Sequence, residues 1–132
     1  MKPMGPIPAG FLRADGHLLI DGHRAADLAE QTPCFVYSKA MLDAQLAALR
    51  AAMPECLAIH YAMKANPFGP LLGHMNTVVD GFDIASGGEL ALAVAAGVDP
   101  SRISFAGPGK RDAELAAAIG QGVTLNAESE GE

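Results

Sequence analysis

His60-Tyr61-Ala62-Met63-Lys64-Ala65-Asn66-Pro67 closes an apolar run that starts at Leu57, ending it with a lone lysine, an asparagine and a proline. Read with a period of two, Leu57, Ile59, Tyr61 and Met63 share one face, and Ala58, His60, Ala62 and Lys64 share the other. The pattern predicts a strand that delivers one amine to its C-terminal mouth. The lysine face carries mostly small side chains, so the amine is expected to point into a space that alanines leave open. A lysine crowded by apolar walls loses part of its preference for the charged form, and a neutral ε-amine attacks an aldehyde to give a Schiff base. The competing reading is a lysine that ends a strand and reaches solvent; spacing alone favours it, because lysine seldom tolerates burial.

Outward from that stretch, one pattern repeats. Pro67 to Met75 reads as a short helix and Val78 to Ala85 as a second strand. Ser86-Gly87-Gly88-Glu89 has the spacing of a capping box and opens a helix from Gly87 to Ala96, which Gly97 closes with a left-handed cap. Ile103 to Ala106 is a third strand, Asp112 to Ile119 a helix and Val123 to Asn126 a fourth strand, after which Ser129 and Glu132 repeat the capping-box spacing. Gly107-Pro108-Gly109-Lys110 lacks the G-x-x-x-x-G-K-[ST] spacing of a phosphate loop and is read as a plain turn.

Upstream, Cys34 to Tyr37 reads as a strand. Ser38 follows as the N-cap of a helix from Lys39 to Met53, with Met41, Leu42, Leu46 and Leu49 as its apolar stripe. Ala25 to Gln31 is expected to be a short helix that stops before Thr32-Pro33. Asp15-Gly16 and Asp21-Gly22 are turn signals for a small hairpin with His17 to Ile20 as one strand. Met1 to Gly10, with three prolines and two glycines, reads as an irregular arm. Strands alternating with amphipathic helices argue for parallel βα units.

Composition agrees. The 132 residues are 50% hydrophobic but only 5% aromatic, and abundant Ala and Gly suit helices packed closely on a sheet. A net charge of −6 and a pI near 5.1 argue against a nucleic-acid partner, which needs clustered Lys and Arg. Cys34 and Cys56 lack C-x-x-C spacing, so neither a zinc site nor a redox motif is indicated, and a reducing cytoplasm is the expected location. His17 and His23 are expected at the surface, and no further ligand stands at a spacing that would complete a metal site. The N-terminus has no apolar core of signal-peptide length and no run is long enough to cross a bilayer, so a soluble, unexported protein without a membrane partner is expected.

HYAMKANP, followed by GFDIASGGEL at Gly81 to Leu90, FAGPGKRDAEL at Phe105 to Leu115 and LNAESEGE at Leu125 to Glu132, resembles the fold-type III pyridoxal-phosphate-dependent decarboxylases of the diaminopimelate and ornithine decarboxylase family. The wording of HYAMKANP and SFAGPGKRDAEL is most similar to the branch associated with exosortase and exopolysaccharide systems. The resemblance runs from about Phe11 to Glu132 and covers only the first part of the family's usual length, so the chain is read as an N-terminal portion. It implies an α/β fold, the N-terminal half of a (β/α)8 barrel of the alanine racemase-like type preceded by a piece of an all-β domain. Residues 1–33 would be the arm and β segment, and residues 34–132 the first part of the cofactor-binding barrel, truncated after its fourth strand.

The resemblance also implies roles. Lys64 would hold pyridoxal 5'-phosphate as a Schiff base, the internal aldimine, and Ala62 would leave space beneath the cofactor ring. Asp83, on the barrel-interior face of Gly81 to Ala85 beside the strand carrying Lys64, would stabilise the lysine ammonium or orient the cofactor; the alternative is a helix-side or surface aspartate. His60 is expected to be a satisfied core histidine. The implied activity is α-decarboxylation of a basic or branched amino acid by a cytoplasmic homodimer. The family's ring-packing imidazole, glycine-rich phosphate loop, pyridine-nitrogen glutamate and shared C-terminal region lie later in its sequence. These residues alone are therefore expected to be inactive, and to self-associate through open strand edges and an apolar interior face. Two other readings stand beside this one: a related pyridoxal-phosphate barrel with racemase or cofactor-carrier activity, and a non-catalytic truncated barrel serving as an interaction module.

Overall fold

The computed structural model describes residues 10–132, so the expected arm at Met1 to Gly10 lies, except for Gly10, outside the described residues. The chain divides into two compact units, Met1–Pro54 and Glu55–Glu132.

The first unit contains an antiparallel meander, β1 (Leu12–Ala14), β2 (His17–Ile20) and β3 (His23–Arg24), where the sequence predicts a single hairpin. Both Asp-Gly pairs form two-residue connections, with φ of 49° and 77° at Asp15 and Gly16 and 51° and 80° at Asp21 and Gly22. Positive φ at both central residues defines the turn whose twist matches paired strands, so each Asp-Gly makes its own hairpin. α1 (Ala25–Leu28) stops short of the expected Gln31, having neither a side-chain cap nor a buried residue to extend it. Cys34 to Tyr37 joins no sheet, which corrects the strand expected there; a strand exists only through its ladder bonds, and these residues make none. α2 (Lys39–Ala52) begins as expected at Ser38, whose Oγ accepts the Met41 N–H at 3.0 Å and donates to the Asp21 carboxylate at 2.6 and 2.8 Å. The cap thereby ties the helix start to the second hairpin turn.

The second unit is a four-stranded, all-parallel sheet in the order β4 (His60–Ala62), β5 (Gly81–Ile84), β6 (Ile103–Phe105) and β7 (Thr124–Leu125). Between the strands run α3 (Gly69–Val78), α4 (Gly87–Ala95) and α5 (Asp112–Gln121). Residues paired across a parallel ladder point to one side, so the register sorts the two faces. Tyr61, Phe82 and Ile103 line up on one, with Ile84 and Phe105 beside them. Phe82, Ile84, Ile103 and Phe105 are almost completely buried there with Leu72, Leu90, Ala93 and Ala118 of the helices. His60, Ala62, Gly81, Asp83, Ser104 and Thr124 line up on the other face, which is small and polar. An apolar interior face was expected; helices bury only the alternate set, and the remaining positions carry polar groups that water can satisfy.

Two junctions are held by side chains. At the N-terminal end of the sheet, Arg102 donates to the carbonyls of Val79 (2.6 Å) and Asp80 (2.9 Å) and to Asn76 Oδ1 (3.0 Å), satisfying groups that α3 leaves open as it ends. At the C-terminal rim, Glu114 Oε1 accepts the Gly87 N–H at 2.7 Å while Oε2 accepts from the Arg111 N–H and guanidinium at 3.1 and 3.0 Å. One carboxylate thus ties the start of α4 to the start of α5.

Candidate functional site at the C-terminal rim of the parallel sheet

β4 is shorter than the alternation from Leu57 predicts. Before it, the Asp80 carboxylate, not a ladder partner, takes the Ile59 N–H at 2.6 Å. After it, Met63–Ala65 winds into a single 3-10 turn, and Asn66, which precedes Pro67, is extended at φ −167°, as a residue before proline prefers. Lys64 therefore sits on a turn just beyond the strand, and its side-chain direction does not follow the period-two reading. Met63 is fully buried, anchoring the turn, and Lys64 is exposed. The crowding of Lys64 by apolar walls expected from the sequence is not found, because the face it borders is polar.

The structure brings Ala62 and Asp83 together. They are direct partners in the β4–β5 ladder, half-buried on the small polar face, with Ala62 two residues ahead of Lys64. His60 is exposed, not a core residue: its imidazole lies over Gly81, where a Cβ would come within 2.6 Å of His60 Cε1 and 2.5 Å of the Arg102 carbonyl oxygen. Only glycine fits under that ring.

Sequence reasoning missed three residues here. Ser104 is the ladder partner of Asp83, and Asn126 Nδ2 donates to Ser104 Oγ at 3.0 Å, continuing the polar face away from Lys64. Ser104 was findable, since it alternates with buried Ile103 and Phe105. Lys110 is the third. Its side chain is 1% exposed, paired with Glu132 at 3.0 Å, donating to the Gly107 carbonyl at 2.5 Å and lying 5.9 Å from the centre of the Phe105 ring. An ammonium committed in this way supports the plain-turn reading of Gly107 to Lys110. Glu132 Oε2 also accepts the Glu128 N–H at 2.8 Å, holding its carboxyl below the usual range together with Lys110.

Of the two capping-box spacings only Ser86–Glu89 caps a helix; no helix follows Ser129, whose backbone carbonyl and not its hydroxyl accepts the Glu132 N–H at 3.4 Å. Ser86 Oγ accepts the Glu89 N–H at 3.2 Å, but Glu89 returns to the Ala85 N–H at 2.6 Å, one residue before the cap. Glu132 reaches back four residues in the same way. An open recess of about 340 Å³ in the first unit, lined by Phe11, Val36, Tyr37, Met41 and Leu42, contains none of the predicted site residues. Among the described residues no three His, Cys, Asp or Glu side chains gather as a metal site, and no helix is long and apolar enough to cross a membrane.

Helices covering one face of a parallel sheet, with a lysine just past the end of its first strand, define the class: the N-terminal half of a (β/α)8 barrel of the alanine racemase-like type, preceded by a piece of β structure. Residues 39–132 match the family model of the pyridoxal-dependent decarboxylase pyridoxal-binding domain, and the chain belongs to that family. It is 43% identical over 122 residues to a diaminopimelate decarboxylase of Aquifex aeolicus, covering 87% of this chain and 28% of the relative. Among solved structures it resembles a diaminopimelate decarboxylase from M. jannaschii with TM-score 0.79 and 28% identity, over 91% of this chain and 30% of that one. A Helicobacter pylori diaminopimelate decarboxylase complexed with L-lysine matches with TM-score 0.71 and 29% identity, over 79% of this chain and 27% of that one. The chain thus spans less than a third of the length of these relatives.

Proposed function

We propose that this chain is the lysine-bearing portion of a pyridoxal-phosphate-dependent amino-acid decarboxylase, with Lys64 as the residue that binds the cofactor covalently. The observation that carries the reading is the placement of Lys64, exposed on the turn that leaves β4, next to the Ala62–Asp83 pair on the small, polar face of the sheet. The residues fit the group. An aldehyde cofactor needs an accessible primary amine, and Lys64 supplies one, whereas Lys110 is committed to Glu132. A planar ring needs room, which the small side chain of Ala62 leaves. A cationic centre needs a nearby carboxylate, which Asp83 provides.

Each residue then has one task. The Lys64 amine would hold the cofactor through its aldehyde group. Asp83 stabilises positive charge beside the ladder and orients what binds there, and Ala62 keeps the adjoining volume open. When bound, the cofactor supplies an electron sink for the pair released as carbon dioxide leaves the substrate.

Because the relatives are diaminopimelate decarboxylases, diaminopimelate is the first substrate to assay, with ornithine and arginine, candidates from the family resemblance, next. The wording of HYAMKANP and SFAGPGKRDAEL supports a place in the exosortase-associated branch, and we extend the proposal to a cytoplasmic homodimer. Residues 1–33 are assigned to the arm and β segment and residues 34–132 to the barrel. The test is carbon dioxide release from these amino acids by the full encoded chain loaded with pyridoxal phosphate. Release from at least one is expected; release from none, with racemisation instead, would transfer the chain to the racemase reading.

A further inference from the structure

We propose that Tyr61 is a positioning residue for Lys64, fixing the amine-bearing turn before any cofactor arrives; the proposal rests on the role of Lys64 given above. Tyr61 lies on the helix-facing side of β4, its ring edge-on to Phe82 with centroids 5.8 Å apart and planes at 74°. Phe82 is completely buried, so the tyrosine ring packs on a fixed surface. From there the Tyr61 hydroxyl donates to the Asn66 carbonyl at 2.9 Å. That bond spans the 3-10 turn Met63–Ala65, with Lys64 at its centre.

Two further contacts hold the same turn. Met63 is inserted in the core with no exposed surface, and Asn66 Oδ1 accepts the Phe68 N–H at 3.0 Å. The lysine backbone is thus pinned on its core side by Met63 and on its far side by Tyr61 through Asn66. A four-carbon amine on a mobile turn spreads over many positions, whereas a fixed Cα confines it to those its rotamers reach, and such confinement raises the rate of attack on a bound partner. Asn66 Nδ2 is buried without a hydrogen-bond partner, so the turn also keeps one amide donor in reserve. A half-buried phenol finds an acceptor in many settings; what distinguishes this one is that its acceptor closes the lysine turn.

The test uses Tyr61→Phe in the full encoded chain, which keeps the ring against Phe82 and removes only the hydroxyl. Hydrogen–deuterium exchange on the cofactor-free protein should rise in residues 63–68 and stay unchanged in β5 and β6. Timed exposure to pyridoxal phosphate, quenched with borohydride and mapped by peptide mass, should show labelling of Lys64 slowed about three- to tenfold, the effect of one lost hydrogen bond, with labelling of exposed Lys39 unchanged. Unchanged exchange and unchanged Lys64 labelling would overturn the proposal. So would exchange that rises across the whole sheet with Lys64 and Lys39 slowed alike, since that is a merely structural tyrosine. If the parent protein carries its label on another lysine, the role of Lys64 fails instead, and the exchange result separates that failure from this one.

Discussion

Asp83 stands directly across the parallel ladder from Ala62, the residue two before Lys64. A carboxylate fixed by strand register beside a lysine-bearing turn keeps its place without depending on a mobile loop. Its other ladder neighbour, Ser104, is neutral. Asp83→Asn keeps the size and the register and removes the charge. The expected outcome in the full encoded chain is an unchanged circular dichroism spectrum with cofactor affinity or kcat reduced about ten- to a hundredfold, the usual worth of a charge-assisted contact. Kinetics and cofactor binding equal to the parent would return Asp83 to a solvated surface role.

Glu114 gives a prediction about acid stability. Its carboxyl is held down to about 2 from an ordinary 4.5, chiefly by the Arg111 side chain, then by the amides of Gly87 and Arg111. A carboxylate depressed in the folded state stabilises the fold above its unfolded pKa and loses that contribution as pH falls toward its folded one, so the window runs from about 4.5 down to about 2. Glu132, lowered by the Glu128 N–H and Lys110, acts in the same direction. In Glu114→Gln, urea midpoints measured across that window should fall less steeply with acid than in the parent. Parallel pH curves would show that the rim contacts of Glu114 do not persist in solution.

Gly81 tests the close approach of strand, imidazole and Arg102. A methyl group there meets backbone oxygen at 2.5 Å and the His60 ring at 2.6 Å, and the carbonyl cannot swing aside as a flexible side chain would. Gly81→Ala is expected to cost about 1–3 kcal/mol, the usual range for overpacking. In the double variant Gly81→Ala/His60→Ala the backbone clash should retain a large part of that cost. A Gly81→Ala protein as stable as the parent in chemical denaturation would contradict the packing described.

The parallel βα order was legible because buried strands and amphipathic helices leave distinct periods. Phe82, Ile84, Ile103 and Phe105 alternate with Asp83 and Ser104, and all four apolar residues are buried. Caps were legible too: Ser38, Ser86 and Gly97 hold the positions their chemistry predicts. What failed depends on partners distant in sequence. Cys34 to Tyr37 has strand composition and no ladder, while β4 is cut short by Asp80 upstream and by the turn toward Pro67 downstream. Lys64 was located correctly at the rim but misassigned to a strand, and that error carried with it the expectation of apolar walls. Lys110 was invisible as a buried cation because its partner, Glu132, lies 22 residues away.

The proposed role of Lys64 as the covalent anchor for pyridoxal phosphate is open to a single decisive experiment. Borohydride reduction of the loaded full encoded chain, followed by peptide mass mapping, tests it most directly. A reduced pyridoxyl adduct is expected on Lys64, in the peptide containing HYAMKANP, and is expected to disappear in Lys64→Ala. An adduct confined to Lys39, Lys110 or any other lysine, with Lys64 unmodified, would contradict it.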